Sequence, residues 1–171
     1  PNNPDSWQAR SAQFSIHQRW AMAESAGLRA IKLAPSRESL HLNMAQILRN
    51  QQRFSEAINS LHKALELAPK NADTYYQLAM LTLQSGNLEA AFNIFNELIK
   101  LEPNHTEALF RLLRFKKSTN HNEIMKRSEV LFSNPTSSTS DKILLAFGLG
   151  KAWEDLQKHE NSFYYYAEGN R

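Results

Sequence analysis

Prolines stand at Pro1, Pro35, Pro69 and Pro103, each 34 residues after the last. A fixed period constrains the fold more than composition does. Each period must be one supersecondary unit that cannot bury its apolar face alone, so neighbours must stack. Inside a period the apolar residues recur at three- and four-residue spacing: Leu42, Met44, Ile47 and Leu48, then Phe54, Ile58, Leu61 and Leu65. That spacing predicts two amphipathic helices per unit. Polar breaks at 50–53 and 84–87 separate the paired helices. The terminal proline cannot continue a helix and pushes its predecessor out of helical geometry.

Segments 38–71 and 72–105 match position by position. Small residues recur where two helices must approach: Ala45, Ala57 and Ala64 in one, Ala79 and Ala91 in the next, with Leu98 opposite Ala64. Gly86 suits the left-handed conformation that closes a helix, whereas Gln52 holds the same place without that ease. These units resemble the tetratricopeptide repeat, whose length is 34. The residues at its characteristic positions are His41, Met44, Ala45, Leu48, Ala57, Leu61, Ala64 and Pro69, then Tyr75, Leu78, Ala79, Thr82, Ala91, Phe95, Leu98 and Pro103. His41, Thr82 and Leu98 depart from the usual types. The resemblance implies an all-α, right-handed superhelical solenoid of antiparallel helix pairs. About five repeats and about ten helices are expected, in one domain over residues 1–171.

The flanking repeats are less regular. In 4–37, Trp20, Ala23, Ala30 and Pro35 fit the second helix, but Arg10 and Ser11 replace the usual apolar and small pair, which predicts an irregular first helix. Residues 1–3 look like the tail of a still earlier repeat, so the chain is expected to be part of a longer protein. The unit 106–142 is degenerate, with helices expected over 106–117 and about 122–132, then a polar loop at 133–140. Ser138 and Asp141 have capping-box-like spacing before the last unit, 143–171.

Composition excludes several classes. With 20 basic and 17 acidic residues the chain lacks the cationic density of a nucleic-acid arm. It has no cysteine, so it forms neither disulfides nor thiolate metal sites. No apolar run reaches membrane-spanning length and no secretory signal opens the chain, which leads to an expectation of cytoplasmic location. The histidines His17, His41, His62, His105, His121 and His159 form no helical zinc pair, and no glycine-rich phosphate cradle or nucleophile triad is present. Gly148 and Gly150 fall beside or on the small repeat position rather than in a nucleotide loop. Asn104-His105-Thr106 matches a glycosylation acceptor by chance at a repeat junction. No cofactor, metal or catalytic residue is expected.

The expected functional surface is the inner groove. By the resemblance it is lined by Ser39, Leu42, Gln46, Arg49 and Asn50, then by Asp73, Tyr76, Met80, Leu83 and Gln84. The degenerate unit adds Glu107, Phe110, Arg114, Lys117 and Ser118. Large apolar anchors flanked by Arg, Lys and Gln suit an extended or helical peptide. A solvated face that binds nothing is the plainer alternative. The subgroup that grips C-terminal carboxylates of chaperones is not matched: its places hold Leu42, Gln46, Gln77, Glu107 and Arg111, of which only the arginine agrees.

Residues 141–171 resemble the last repeat of bacterial tetratricopeptide–sulfotransferase fusion proteins. The matching residues are Phe147, Leu149, Gly150, Lys151, Ala152, Glu154, Asp155, Phe163, Tyr166, Gly169 and Asn170. The resemblance implies a downstream domain that uses 3′-phosphoadenylyl sulfate. The Pro-Arg-Ser-Gly-Thr-like loop of that domain is absent from this chain. Four consecutive aromatics, residues 163–166, cover every side of a helix, so Tyr164, Tyr165 and Tyr166 are expected to form a docking surface for that domain. Three functional readings follow: a non-catalytic interaction module for a protein or peptide, a structural part of a sulfotransferase that helps form its active site, and a scaffold that self-associates through its ends. No nucleic-acid or membrane partner is expected.

Overall fold

The computed structural model describes residues 2–171, and among these all regular structure is helical. Ten helices follow one another: α1 (Pro4–Ile16), α2 (Trp20–Leu33), α3 (Glu38–Asn50), α4 (Phe54–Leu67), α5 (Ala72–Gln84), α6 (Leu88–Leu101), α7 (Thr106–Phe115), α8 (Glu123–Ser133), α9 (Thr139–Asp155) and α10 (His159–Gly169). The chain forms two compact units, residues 1–94 and 95–171, with the boundary inside α6.

In the N-terminal unit the 34-residue phase is written into the backbone. Gln18, Gln52 and Gly86 stand 34 apart, and all three have positive φ, at 55°, 61° and 88°. A left-handed residue lets the chain reverse in two or three residues, so consecutive helices lie side by side. Position 34 of the repeat carries a second device, not evident from the sequence, at every occurrence but Arg37, which makes no side-chain cap bond. Asn3 and Asn71 cap α1 and α5, their side chains accepting from Asp5 N and Thr74 N. His105 does the same for α7, its ring nitrogen accepting from Ala108 N. Asn and Asp-like side chains at this place satisfy backbone donors that the first helical turn leaves open.

The core of this unit is built from Met44, Ala45, Leu48, Ala57, Leu61, Leu78 and Leu81, with Ile31, Phe54, Ile58 and Leu65 packed against it. Ala57 and Ala79 are both fully buried, as the small-residue pattern predicts. The expected irregularity of the first helix does not occur: α1 is continuous. Ser11 takes the small position, is fully buried, and donates to Ala23 O at 2.8 Å. Its hydroxyl also accepts from Asn43 Nδ2 at 3.0 Å, which joins three helices through one satisfied polar group. His41, another departure from the repeat pattern, has Nε2 2.8 Å from Pro35 O. Arg53 binds Glu56 through two nitrogens and Glu24 through a third, each at 2.7 Å, which ties α2 to the start of α4.

The C-terminal unit departs from the repeat in its pairing. Helix α7 ends at Phe115, two residues before the expected end, and Lys116 is extended. The cause is Asp155: its carboxylate accepts from Ser118 N at 2.8 Å and from Lys151 Nζ at 2.5 Å, and Lys151 also reaches Lys116 O. Helix α9 runs for 17 residues, beginning at Thr139 rather than near 143. Ser138 caps it, with Asp141 N donating to Ser138 Oγ at 3.1 Å and the hydroxyl donating back to Asp141 at 2.6 Å. In consequence α7 packs mainly on α9 rather than on α8. Leu113, Met125, Leu149 and Ala152 form the core of this unit.

Candidate binding surface

The residues expected to line the groove in the N-terminal unit sort into two kinds. Gln46, Arg49 and Asn50 on α3 are exposed, while Leu42 on α3 and Tyr76, Met80 and Leu83 on α5 are half-buried. The sequence predicts that Leu42, Tyr76 and Met80, with Phe110 in the other unit, stand exposed as apolar anchors. Instead Leu42 packs partly buried against the core cluster that contains Met44 and Leu48. The anchors therefore offer edges rather than whole side chains.

Between α3 and α5 lies a small notch. Its floor is Ala45, Leu61 and Leu81; its rim is Gln46, Arg49 and Gln77. The floor residues are buried and the rim residues exposed. Arg49 makes no ion pair among the described residues. Gln77 stands outside the expected groove set; it sits one residue after Tyr76 and reaches the notch from the opposite helix. The arrangement can take a carboxylate or a backbone carbonyl on Arg49, with the two amides supplying donors and acceptors beside it.

In the C-terminal unit the expected residues are less well assembled. Phe110 is half-buried and lies under α9, its ring edge 3.4 Å from where a Cβ on Gly148 would stand. The Arg111 guanidinium sits 5.6 Å above that ring and 5.9 Å from Phe115, with Nε buried and unbonded. Arg114 is exposed on α7. Lys117 is exposed but lies beyond the end of α7, so it does not share the helix face that the repeat pattern assigns to it.

The three tyrosines do not form one docking face. Tyr166 packs across Gly150, its ring 6.2 Å from Phe147 and its hydroxyl donating to Glu154 Oε2 at 3.2 Å. Tyr165 meets Phe132 edge-on at 5.3 Å, and burial, reinforced by Glu129, pushes its phenol up to about 12. Of the three only Tyr164 is mainly exposed, beside Phe163. The reason is geometric: consecutive residues on a helix point about 100° apart, so α9 and α8 claim two of the four rings.

The same packing accounts for the residues that carry the C-terminal resemblance. A Cβ on Gly150 would lie 2.8 Å from the Tyr166 ring, and one on Gly169 would lie 3.2 Å from Ala146. Lys151 and Asp155 fasten the chain after α7, and Glu154 receives Tyr166. Among the described residues no group of three or more His, Asp or Glu could hold a metal, and no helix is long and apolar enough to cross a membrane.

Paired helices with a left-handed closure every 34 residues and buried small residues at each contact define a tetratricopeptide-type solenoid. The tetratricopeptide repeat family model matches residues 48–114. None of the curated proteins matches the sequence. Among solved structures, the crystal structure of MamA protein superposes with a TM-score of 0.77 at 18% identity, covering 97% of this chain and 89% of that one. YrrB, described as a TPR protein with an unusual peptide-binding site, gives 0.74 at 14% identity, covering 98% and 85%. The TPR2B domain of yeast Sti1 in complex with pHsp70 gives 0.55 at 20% identity, covering 61% and 83%. At these identities the likeness is one of fold.

Proposed function

We propose that the chain is a non-catalytic protein–protein interaction module that binds a peptide or partner domain on the inner face of its first helices. The observation that carries the reading is the notch between α3 and α5: an uncommitted Arg49 with Gln46 and Gln77 over an apolar floor. Leu42, Tyr76, Met80 and Leu83 add partly exposed apolar edges around it, and Asn50 adds an amide. An acidic or carboxylate-bearing segment matches this chemistry best. The peptide-binding site of YrrB and the complex of the Sti1 domain with pHsp70 support the same reading. In the C-terminal unit, Arg114 and the edge of Phe110 are the corresponding candidates. A partner captured by pull-down is then titrated by calorimetry against Arg49→Glu and Tyr76→Ala. Weakening by at least about tenfold, roughly 1.4 kcal/mol, supports the site; unchanged affinity in both variants moves it elsewhere.

A second reading rests on residues 141–171 alone: that this module belongs to a larger bacterial, cytoplasmic sulfotransferase. The internal packing of Gly150, Lys151, Glu154 and Asp155 supplies a structural reason for that motif without invoking a second domain. Under either reading the isolated chain does not bind 3′-phosphoadenylyl sulfate, and micromolar binding by calorimetry overturns this.

A further inference from the structure

The outer face of α2 breaks the repeat pattern in a way that points to an occupant. Met22 and Leu28 are 53% and 54% exposed. One repeat later the same positions carry Glu56 and His62, and two repeats later Ala90 and Asn96. Glu56 and His62 are exposed, so the second repeat shows what this face holds when water meets it, and the first repeat holds two large apolar groups instead. Two shallow concavities run along the face, of about 350 and 420 Å³, sharing Ala21, Ser25 and Arg29. The small Ala21 and Ser25 leave an opening one helical turn long, flanked by Met22 and Leu28.

The face is also cationic. Arg10 and Arg29 stand 5.2 and 4.7 Å from the Trp7 ring, and neither they nor Lys32 has a carboxylate partner among the described residues. The nearby acids are already engaged: Asp5 with Arg37, and Glu24 with Arg53.

Helix α10 offers the complement. Phe163 and Tyr164 are 76% and 52% exposed. With Glu160 and Ala167 they occupy the i, i+3, i+4 and i+7 places of a single ridge. Glu160 is exposed and has no cationic partner among the described residues. An apolar ridge with an acid at its start matches an apolar furrow with Arg29 and Lys32 at its side. Arg29 can also stack on an aromatic face.

We propose that the α10 ridge of a second copy of this chain docks on the outer face of α2. The contact is heterologous, joining two different surfaces, so it closes into a ring or propagates rather than stopping at a two-fold dimer. This is independent of the inner-face reading: no residue is shared.

Light scattering after size exclusion, over a concentration series, tests it. Wild type is expected to exceed the 19.6 kDa of one copy, with the mass rising with concentration. Met22→Glu with Leu28→His installs the residues of the next repeat. Arg19 precedes Met22 as Arg53 precedes Glu56, so the new glutamate gains the same ion-pair partner and the fold is retained. Phe163→Gln with Tyr164→Gln removes the ridge at exposed positions. Each variant alone is expected to run as one copy, with circular dichroism confirming its helix. Mixed in equal amounts they should form a two-copy species, because one retains α10 and the other retains the α2 face. A wild type that stays single at every concentration overturns the proposal, as does loss of association in only one variant, persistence in both, or failure of the mixture to pair.

Discussion

Gly150 and Tyr166 make a prediction whose sign changes with background. A methyl group on Gly150 would sit 2.8, 2.9 and 3.0 Å from three ring carbons of Tyr166. Carbon pairs are most stable at about 3.5–4.0 Å, so the ring must retreat by most of an ångström. It cannot do so freely, because Phe147 lies beside it and its hydroxyl is bonded to Glu154. Overpacking of this kind costs about 1–3 kcal/mol. Against that, alanine is better than glycine inside a helix by about 1 kcal/mol. Gly150→Ala should therefore destabilise by about 1 kcal/mol in the wild-type protein. In a Tyr166→Ala background the clash is gone, and the same substitution should stabilise by about 1 kcal/mol. The coupling of about 2 kcal/mol is within reach of a double-mutant cycle. Urea unfolding followed by circular dichroism reads it as opposite shifts of the midpoint at constant slope. If Gly150→Ala stabilises equally in both backgrounds, the ring does not rest on Gly150 and the account of the C-terminal packing is wrong.

Two further predictions concern backbone and charge. Gln52 sits at φ 61°, where a residue with a side chain is strained, so Gln52→Gly should stabilise by roughly 0.5–1 kcal/mol after the entropy of glycine is set against the relief. The reciprocal Gly86→Ala meets no atom within 4 Å, so its loss of about 1 kcal/mol measures backbone strain alone; thermal melts showing no change at either site refute the turn assignment. Asp155 is partly desolvated, which raises its pKa, but Lys151 and Ser118 N outweigh this and hold the carboxyl below its ordinary value. A depressed carboxyl contributes stability above its unfolded pKa of about 3.9 and loses it as pH falls through the folded value. Asp155→Asn should thus be less stable near neutrality and show a flatter decline below about pH 4; parallel acid-unfolding curves contradict the pairing.

Much of the fold was legible because the repeat is redundant. Ala57, Ala79, Ala45 and Ala64 announce helix contacts, since close approach leaves no other choice of size, and each recurs in phase. The caps at Asn3, Asn71 and His105 keep the same phase but are interrupted by Arg37, which makes no side-chain cap bond, and a lone Asn before a helix resembles any loop residue until its side chain is seen bonded to a backbone N–H. The site was less legible. Spacing assigns Leu42, Tyr76 and Met80 to one expected face, but burial depends on how deeply neighbours lean over them, and Gln77 enters the notch from α5, 28 residues after Arg49.

What the sequence determines by itself is therefore local and repeated: the helix pairs of the regular units, the left-handed closure at Gly86 with Gln52 at the same place, and the small positions of the contacts. What only the tertiary structure decides lies where the period fails. Asp155 reaches back 37 residues to stop α7 after Phe115, and α7 then takes the long α9, rather than α8, as its main neighbour. No local pattern encodes that choice, because the energy that selects it comes from a carboxylate, a lysine and a backbone N–H that meet only after the chain has folded.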